Sequence, residues 1–133
     1  MSGRFIENLR ARLARGIDFF NREYFFEAHD ELEELWMDAR TPVERNLFHG
    51  LVNIATGFYH YRMHNLVGMQ SQLHKGVEKL AQVPGRCCGV EVAALLRSLR
   101  PYLGPPALHN LPEPLPQIEF HPDEISDPLS SSR

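Results

Sequence analysis

Cysteine is scarce. The 133-residue chain has two, Cys87 and Cys88, and they are adjacent. Neighbouring residues rarely bridge without strain, so a disulfide scaffold is excluded and a reducing cytoplasm fits best. Long apolar runs are missing: none approaches the roughly 18–20 residues of a membrane span, and Met1-Ser2-Gly3-Arg4-Phe5 lacks the apolar stretch of a signal peptide. Excess charge is missing too. A formal net charge of −3 argues against binding nucleic acid by phosphate neutralisation. No G-x-S-x-G elbow, P-loop or dinucleotide fingerprint occurs. What remains is 43% apolar and 23% charged, the composition of one globular domain that needs neither disulfide nor metal for stability.

Charge is unevenly placed. Residues 1–22 hold five arginines (Arg4, Arg10, Arg12, Arg15, Arg22) against Glu7 and Asp18, while residues 23–38 hold seven acids and no base. Two helices with these faces would attract one another, although each exposed pair contributes only a few tenths of a kcal/mol, up to ~1. The first helix is expected over 4–21, with Ile6, Leu9, Leu13, Ile17 and Phe20 on one stripe, and Asn21 as its stop. A second is expected over 24–39, with Phe25, Ala28, Leu32, Leu35, Trp36 and Ala39 inward. Thr41-Pro42 then reads as an N-cap followed by a proline at the first helical position, and Glu44 completes a capping box.

Further helices are expected over 42–65, 67–82 (Val67, Leu73, Val77, Leu80) and 90–103, with no strand before residue 104. From Pro105 onward the composition changes, since seven of the ten prolines lie there. The expected architecture is all-α: a bundle of about five helices in antiparallel hairpins over 1–104, and a Pro-rich extended strap over 105–133. The strap should lie on the bundle through Leu111, Leu115, Ile118 and Phe120 and fray after Pro128.

The third helix carries the feature that needs explaining. At about 100° per residue, Leu47, Leu51, Ile54, Ala55, Phe58 and Tyr61 form an apolar face that Phe48, Val52 and Tyr59 widen. The remaining sector holds His49, Asn53, Thr56, His60 and His64, with Gly50 and Gly57 at its edge. Every member is polar or tiny and none is formally charged. Glycine costs about 1 kcal/mol in a helix interior, a cost that close packing of another backbone offsets. The sector therefore reads as an interior polar seam. On the second helix His29 and Glu33 stand four apart, where the carboxylate can fix the imidazole tautomer and leave the other ring nitrogen for a ligand. They are expected to meet His60 and Asn53 or His49.

Such a cluster serves as a hydrogen-bonded structural network, a ligand or catalytic pocket, or a metal site. The metal templates fail: His60-Tyr61-Arg62-Met63-His64 lacks the glutamate of a zincin, and residues 24–65 contain no Glu-x-x-His for a di-iron bundle. No cofactor is expected. A divalent metal would have His29, Glu33, His60 and His64 as its candidate ligands. Cys87-Cys88 reads as an incidental pair in a Gly-flanked loop, and His74, His109 and His121 as surface or tail residues.

The stretch Phe20-Asn21-Arg22-Glu23-Tyr24-Phe25-Phe26-Glu27-Ala28-His29-Asp30-Glu31-Leu32-Glu33-Glu34-Leu35-Trp36 resembles the signature of a small bacterial and archaeal family, domain of unknown function number 309. Gly50-Leu51-Val52-Asn53, Tyr59-His60 and Asn65 resemble its second motif, and the similarity spans about residues 15–83. The resemblance implies helical hairpins, no established activity, and shared polar positions at Glu27, His29, Glu33, Asn53, His60 and Asn65. The helical wheel points Glu27 outward. Relatives tend to carry Gln where His49 and Asn53 stand and Gly where His64 stands, a pattern that suits hydrogen bonding better than metal coordination.

Two functions follow as expectations. One is a structural or binding module for a small molecule or protein, with Tyr24, Trp36 and Tyr59 as walls and His29, Glu33, Asn53 and His60 as orienting groups. The other is a small hydrolase or transferase with His29 or His60 as general base, with or without a metal. A homodimer through the apolar part of the third helix or the tail is a further expectation. Removal of His29 should cost roughly 1–3 kcal/mol if it leaves Glu33 or Asn53 buried and unpaired.

Overall fold

Leu9, Leu13, Ile17 and Phe20 are buried along one face of the first segment, and the same periodicity organises the next three. The computed structural model describes residues 2–105 and 111–124, with side chains from residue 7 onward. The expectations for Ile6, for His109 and for the end beyond Pro128 lie outside them. Five α-helices are present among the described residues: α1 (Ser2–Asn21), α2 (Phe25–Met37), α3 (Pro42–Arg62), α4 (Leu66–Leu80) and α5 (Val92–Leu99). The fold is all-α. In chain order α1 packs on α2, α2 on α3 and α3 on α4, so α3 is covered on two flanks. None of the described helices is long and apolar enough to cross a membrane.

Local signals account for the boundaries. Thr41 Oγ1 accepts a bond from Glu44 N at 3.1 Å, and the Glu44 carboxylate accepts one from Arg40 N at 3.0 Å, so α3 starts where the capping pattern puts it. Its end differs. Instead of running to residue 65, α3 stops at Arg62, His64 takes φ 62°, and Asn65 becomes the N-cap of α4 by accepting from Gly68 N at 2.9 Å. The opposite charges of α1 and α2 do meet: Arg12 lies 3.0 Å from Asp38 and 3.8 Å from Glu34, and Arg15 lies 3.3 Å from Glu31.

Two expectations fail. Val67 is 70% exposed, and Met69 takes its place in the core, because Met69 stands four residues before Leu73 on the same helical face and Val67 six, which turns it away. A strand pair also forms before residue 104, β1 (Arg86–Cys87) against β2 (Val90–Glu91), antiparallel. Two-residue strands leave too few positions to show alternation. The fifth helix is correspondingly shorter than 90–103 and passes into a 3₁₀ turn, Arg100–Tyr102.

The strap is part of the core. Leu115 and Ile118 are buried, and Leu111 and Phe120 pack against the core. Asn21 holds it like a missing strand: its side-chain amide donates to Ile118 O at 2.9 Å and its carbonyl oxygen accepts from Ile118 N at 2.7 Å. Farther on, Glu91 N donates to Glu119 O and His121 N to Gly89 O, so the strap lies beside β2. Arg62 joins Glu23 and Glu113, closing the strap onto the α1–α2 link.

Candidate functional site: a cleft between the second and third helices

The polar sector of α3 does not converge on one cluster. It divides among the neighbours α3 has on each flank. On the α4 flank Asn53, buried, donates from its amide to Gln72 at 3.0 Å, while its carbonyl oxygen has no partner. Gly50 and Gly57 also face this flank: a Cβ on Gly57 would stand 2.7 Å from Leu73, and one on Gly50 2.8 Å from Leu80 and 3.3 Å from Gly76 O. The glycines thus serve the close backbone approach expected of them, and α4 is the partner.

Toward α2, the N-terminal half of α3 stacks His49 on Trp36, ring centres 4.1 Å apart and planes 17° apart. Burial, with a smaller contribution from Lys79, holds the His49 imidazole below its ordinary value, while Glu33 acts in the opposite direction. The Trp36 indole N–H is buried without a hydrogen-bond partner among the described residues, and Trp36 packs in this stack.

The C-terminal half opens. Phe26, His29, Thr56, Tyr59 and His60 line a cleft of about 180 Å³. Its wall is almost entirely apolar because Thr56 spends its hydroxyl on Val52 O. Phe26 is 55% exposed and Tyr59 36%, with ring centres 6.0 Å apart. These are large apolar surfaces to leave in water beside a concavity.

The tautomer of His60 follows from a chain of bonds. Asn65 Oδ1 must accept from Gly68 N to cap α4, which fixes the amide orientation. Its NH₂ group therefore faces His60 Nδ1, at 3.4 Å. Nδ1 is the acceptor, so the neutral ring carries its proton on Nε2, which makes no hydrogen bond among the described residues. Gly68 leaves room for this arrangement, since a Cβ there would stand 2.9 Å from the His60 ring.

His29 differs from its expected role. Asp30, not Glu33, is its nearer carboxylate, at 3.2 Å from Nδ1, while Glu33 lies 3.8 Å from Nε2. The side chains of His29 and Glu33 are 30% and 44% exposed, so this flank is an open rim and not a sealed interior seam. Glu27 is exposed in the first turn of α2, where its charge suits the helix dipole. Tyr24 is not a wall of the cleft: it meets Phe19 edge-on, 6.3 Å away, with the Arg22 guanidinium over its ring. His64 is exposed and does not gather with His29, Glu33 and His60. Among the described residues, the one group of three donor side chains within 4.8 Å is Glu91, Glu119 and His121, and Arg86 already pairs with Glu91. Most of the apolar face of α3 is buried within the chain, and Tyr59 is its exposed member at the cleft.

Phe26 is the lining residue that sequence reading missed. The signal was the pair Phe25-Phe26, since consecutive helical residues cannot both lie on one narrow stripe.

The fold and this site define a small all-α module with an aromatic–histidine cleft on one helical hairpin. Residues 13–72, which include all five cleft residues, match the model of a family described as "Domain of unknown function (DUF309)", and that segment of the chain is such a domain. No curated protein matches the chain.

Proposed function

We propose that the chain is a binding module whose α2–α3 cleft takes a flat, uncharged or cationic group bearing a hydrogen-bond acceptor. The observation that carries this reading is the pairing of two exposed aromatic rings, Phe26 and Tyr59, around an apolar concavity with His60 at its edge. Burying both rings is favourable at roughly 25 cal/mol per Å² of apolar surface. His60 Nε2–H is the donor that would orient the ligand. Asp30 and Glu33, beside His29, put negative charge at the rim, which disfavours anions.

The alternative, a small hydrolase or transferase, needs an imidazole nitrogen able to accept a proton. At His60 that nitrogen is Nδ1, already facing the Asn65 amide. At His29 the carboxylates of Asp30 and Glu33 flank both nitrogens, an arrangement that supports orientation and leaves this reading second. A metal in the cleft lacks a gathered ligand set.

The test is a thermal-shift series with aromatic amides, aromatic amines and aromatic carboxylates. Amides and amines should raise the melting temperature in a concentration-dependent way and carboxylates should not, with the shift abolished by Tyr59→Ala and reduced by His60→Ala. If no compound shifts the transition, or the shift survives Tyr59→Ala, the cleft is not a binding site. A concentration-dependent mass in sedimentation that Phe26→Ser removes would instead make a second copy the occupant.

A further inference from the structure

The tip of the β1–β2 hairpin goes against its own turn chemistry. The two connecting residues, Cys88 (φ 53°) and Gly89 (φ 80°), both lie in the left-handed region, which makes this a type I′ connection. Glycine is the favoured residue at the second position. At the first, where Asn, Asp or Gly is the low-cost choice, stands a cysteine. An unfavoured residue held in a rare conformation is a reason to look for a task.

The neighbouring thiol supplies one. Cys87 and Cys88 are both free, the first buried and the second half-buried, and their sulfurs are 3.9 Å apart. A disulfide needs about 2.05 Å, well short of the observed separation. Two thiolates on one tetrahedral ion, each about 2.3 Å from it, stand about 3.8 Å apart. The spacing fits a chelate as it stands. The Glu44 carboxylate of α3 raises both thiols. A cation at the pair would offset that negative neighbour.

We propose that Cys87 and Cys88 form a two-thiolate site for one soft d¹⁰ cation, of which Zn²⁺ and Cd²⁺ are the test cases. On binding, two S–H bonds break and two sulfur–metal bonds form. Both protons pass to solvent and no electron is transferred. Soft thiolates select such ions over Mg²⁺ or Ca²⁺, and water completes the coordination.

Titrating the phosphine-reduced full chain with Cd²⁺, in unbuffered solution held at constant pH, tests this. The thiolate-to-cadmium absorption should saturate at one ion per chain, with two protons released. Cys88→Asn places a residue suited to the left-handed position, so the hairpin is kept while one ligand is lost; circular dichroism checks the fold. That variant should weaken binding by about tenfold or more and release one proton at most, and Cys87→Ser should do likewise. The proposal is overturned by the absence of a charge-transfer band in the wild type, by wild-type affinity in Cys88→Asn, or by saturation at one ion per two chains.

Discussion

The two flanks of α3 use the same helix in opposite ways. Toward α4 the residues at the interface are Gly50, Asn53 and Gly57, and backbone meets side chain so closely that no added methyl group fits. Toward α2 the C-terminal half presents Thr56, Tyr59 and His60, and the facing residues are Phe26 and His29, too large and too far apart to close. Small residues draw a neighbour in and bulky residues hold one off, so a single helix gives a rigid joint on one side and a cleft on the other. The joint keeps the cleft in shape, because α4 also supplies the Gly68 amide that fixes Asn65 and hence His60.

The contrast can be broken most strongly at the joint. Gly76→Ala puts a Cβ 2.5 Å from Ile54 Cδ1 and 2.9 Å from Gly50 O, and a backbone oxygen cannot swing away as a side chain can. Urea unfolding should register a net loss of about 1–2 kcal/mol despite alanine's higher helix propensity; an unchanged midpoint would mean the two helices are less tightly coupled than the distances say. A smaller effect belongs to His49. Its imidazole sits below the ordinary value when folded, so the unfolded chain binds the proton more readily. The stability linked to this group is complete above about pH 6.5 and falls as pH drops through the lower folded value. His49→Gln should flatten that acid-side loss relative to wild type, measured as urea midpoints at several pH values. Smallest is His29→Ala on the open rim. With His29 and Glu33 both partly in water, the cost should stay within ~0.5 kcal/mol and not reach the 1–3 kcal/mol of a buried network. A larger loss in the same unfolding assay would show that the rim behaves as an interior.

Much of this was readable beforehand. The stripes of α1 to α3, the Thr41–Glu44 cap, the pairing of α1 and α2 charges and the burial of Leu115 and Ile118 all follow from periodicity, capping chemistry and composition. The glycine line on α3 correctly announced a close neighbour, but a wheel says which residues share a face and not which helix covers it. For that reason the polar sector read as one seam, whereas Asn53 belongs to α4, His49 to Trp36 and His60 to the cleft. Asn65 was misplaced because a residue ending one helix and starting the next gives the same signal for both. The hairpin at 86–91 was too short for any periodicity to register.

The strap carries a consequence for how the chain is made. Leu115 and Ile118 complete a core whose other walls come from earlier segments, and Asn21 near the start waits for a partner 97 positions later. A chain emerging from the ribosome therefore reaches residue 104 with helices formed but an apolar trough still wet. Until residues 111–124 are translated and laid in, that trough is what a chaperone would meet, and their loss would leave it permanently uncovered.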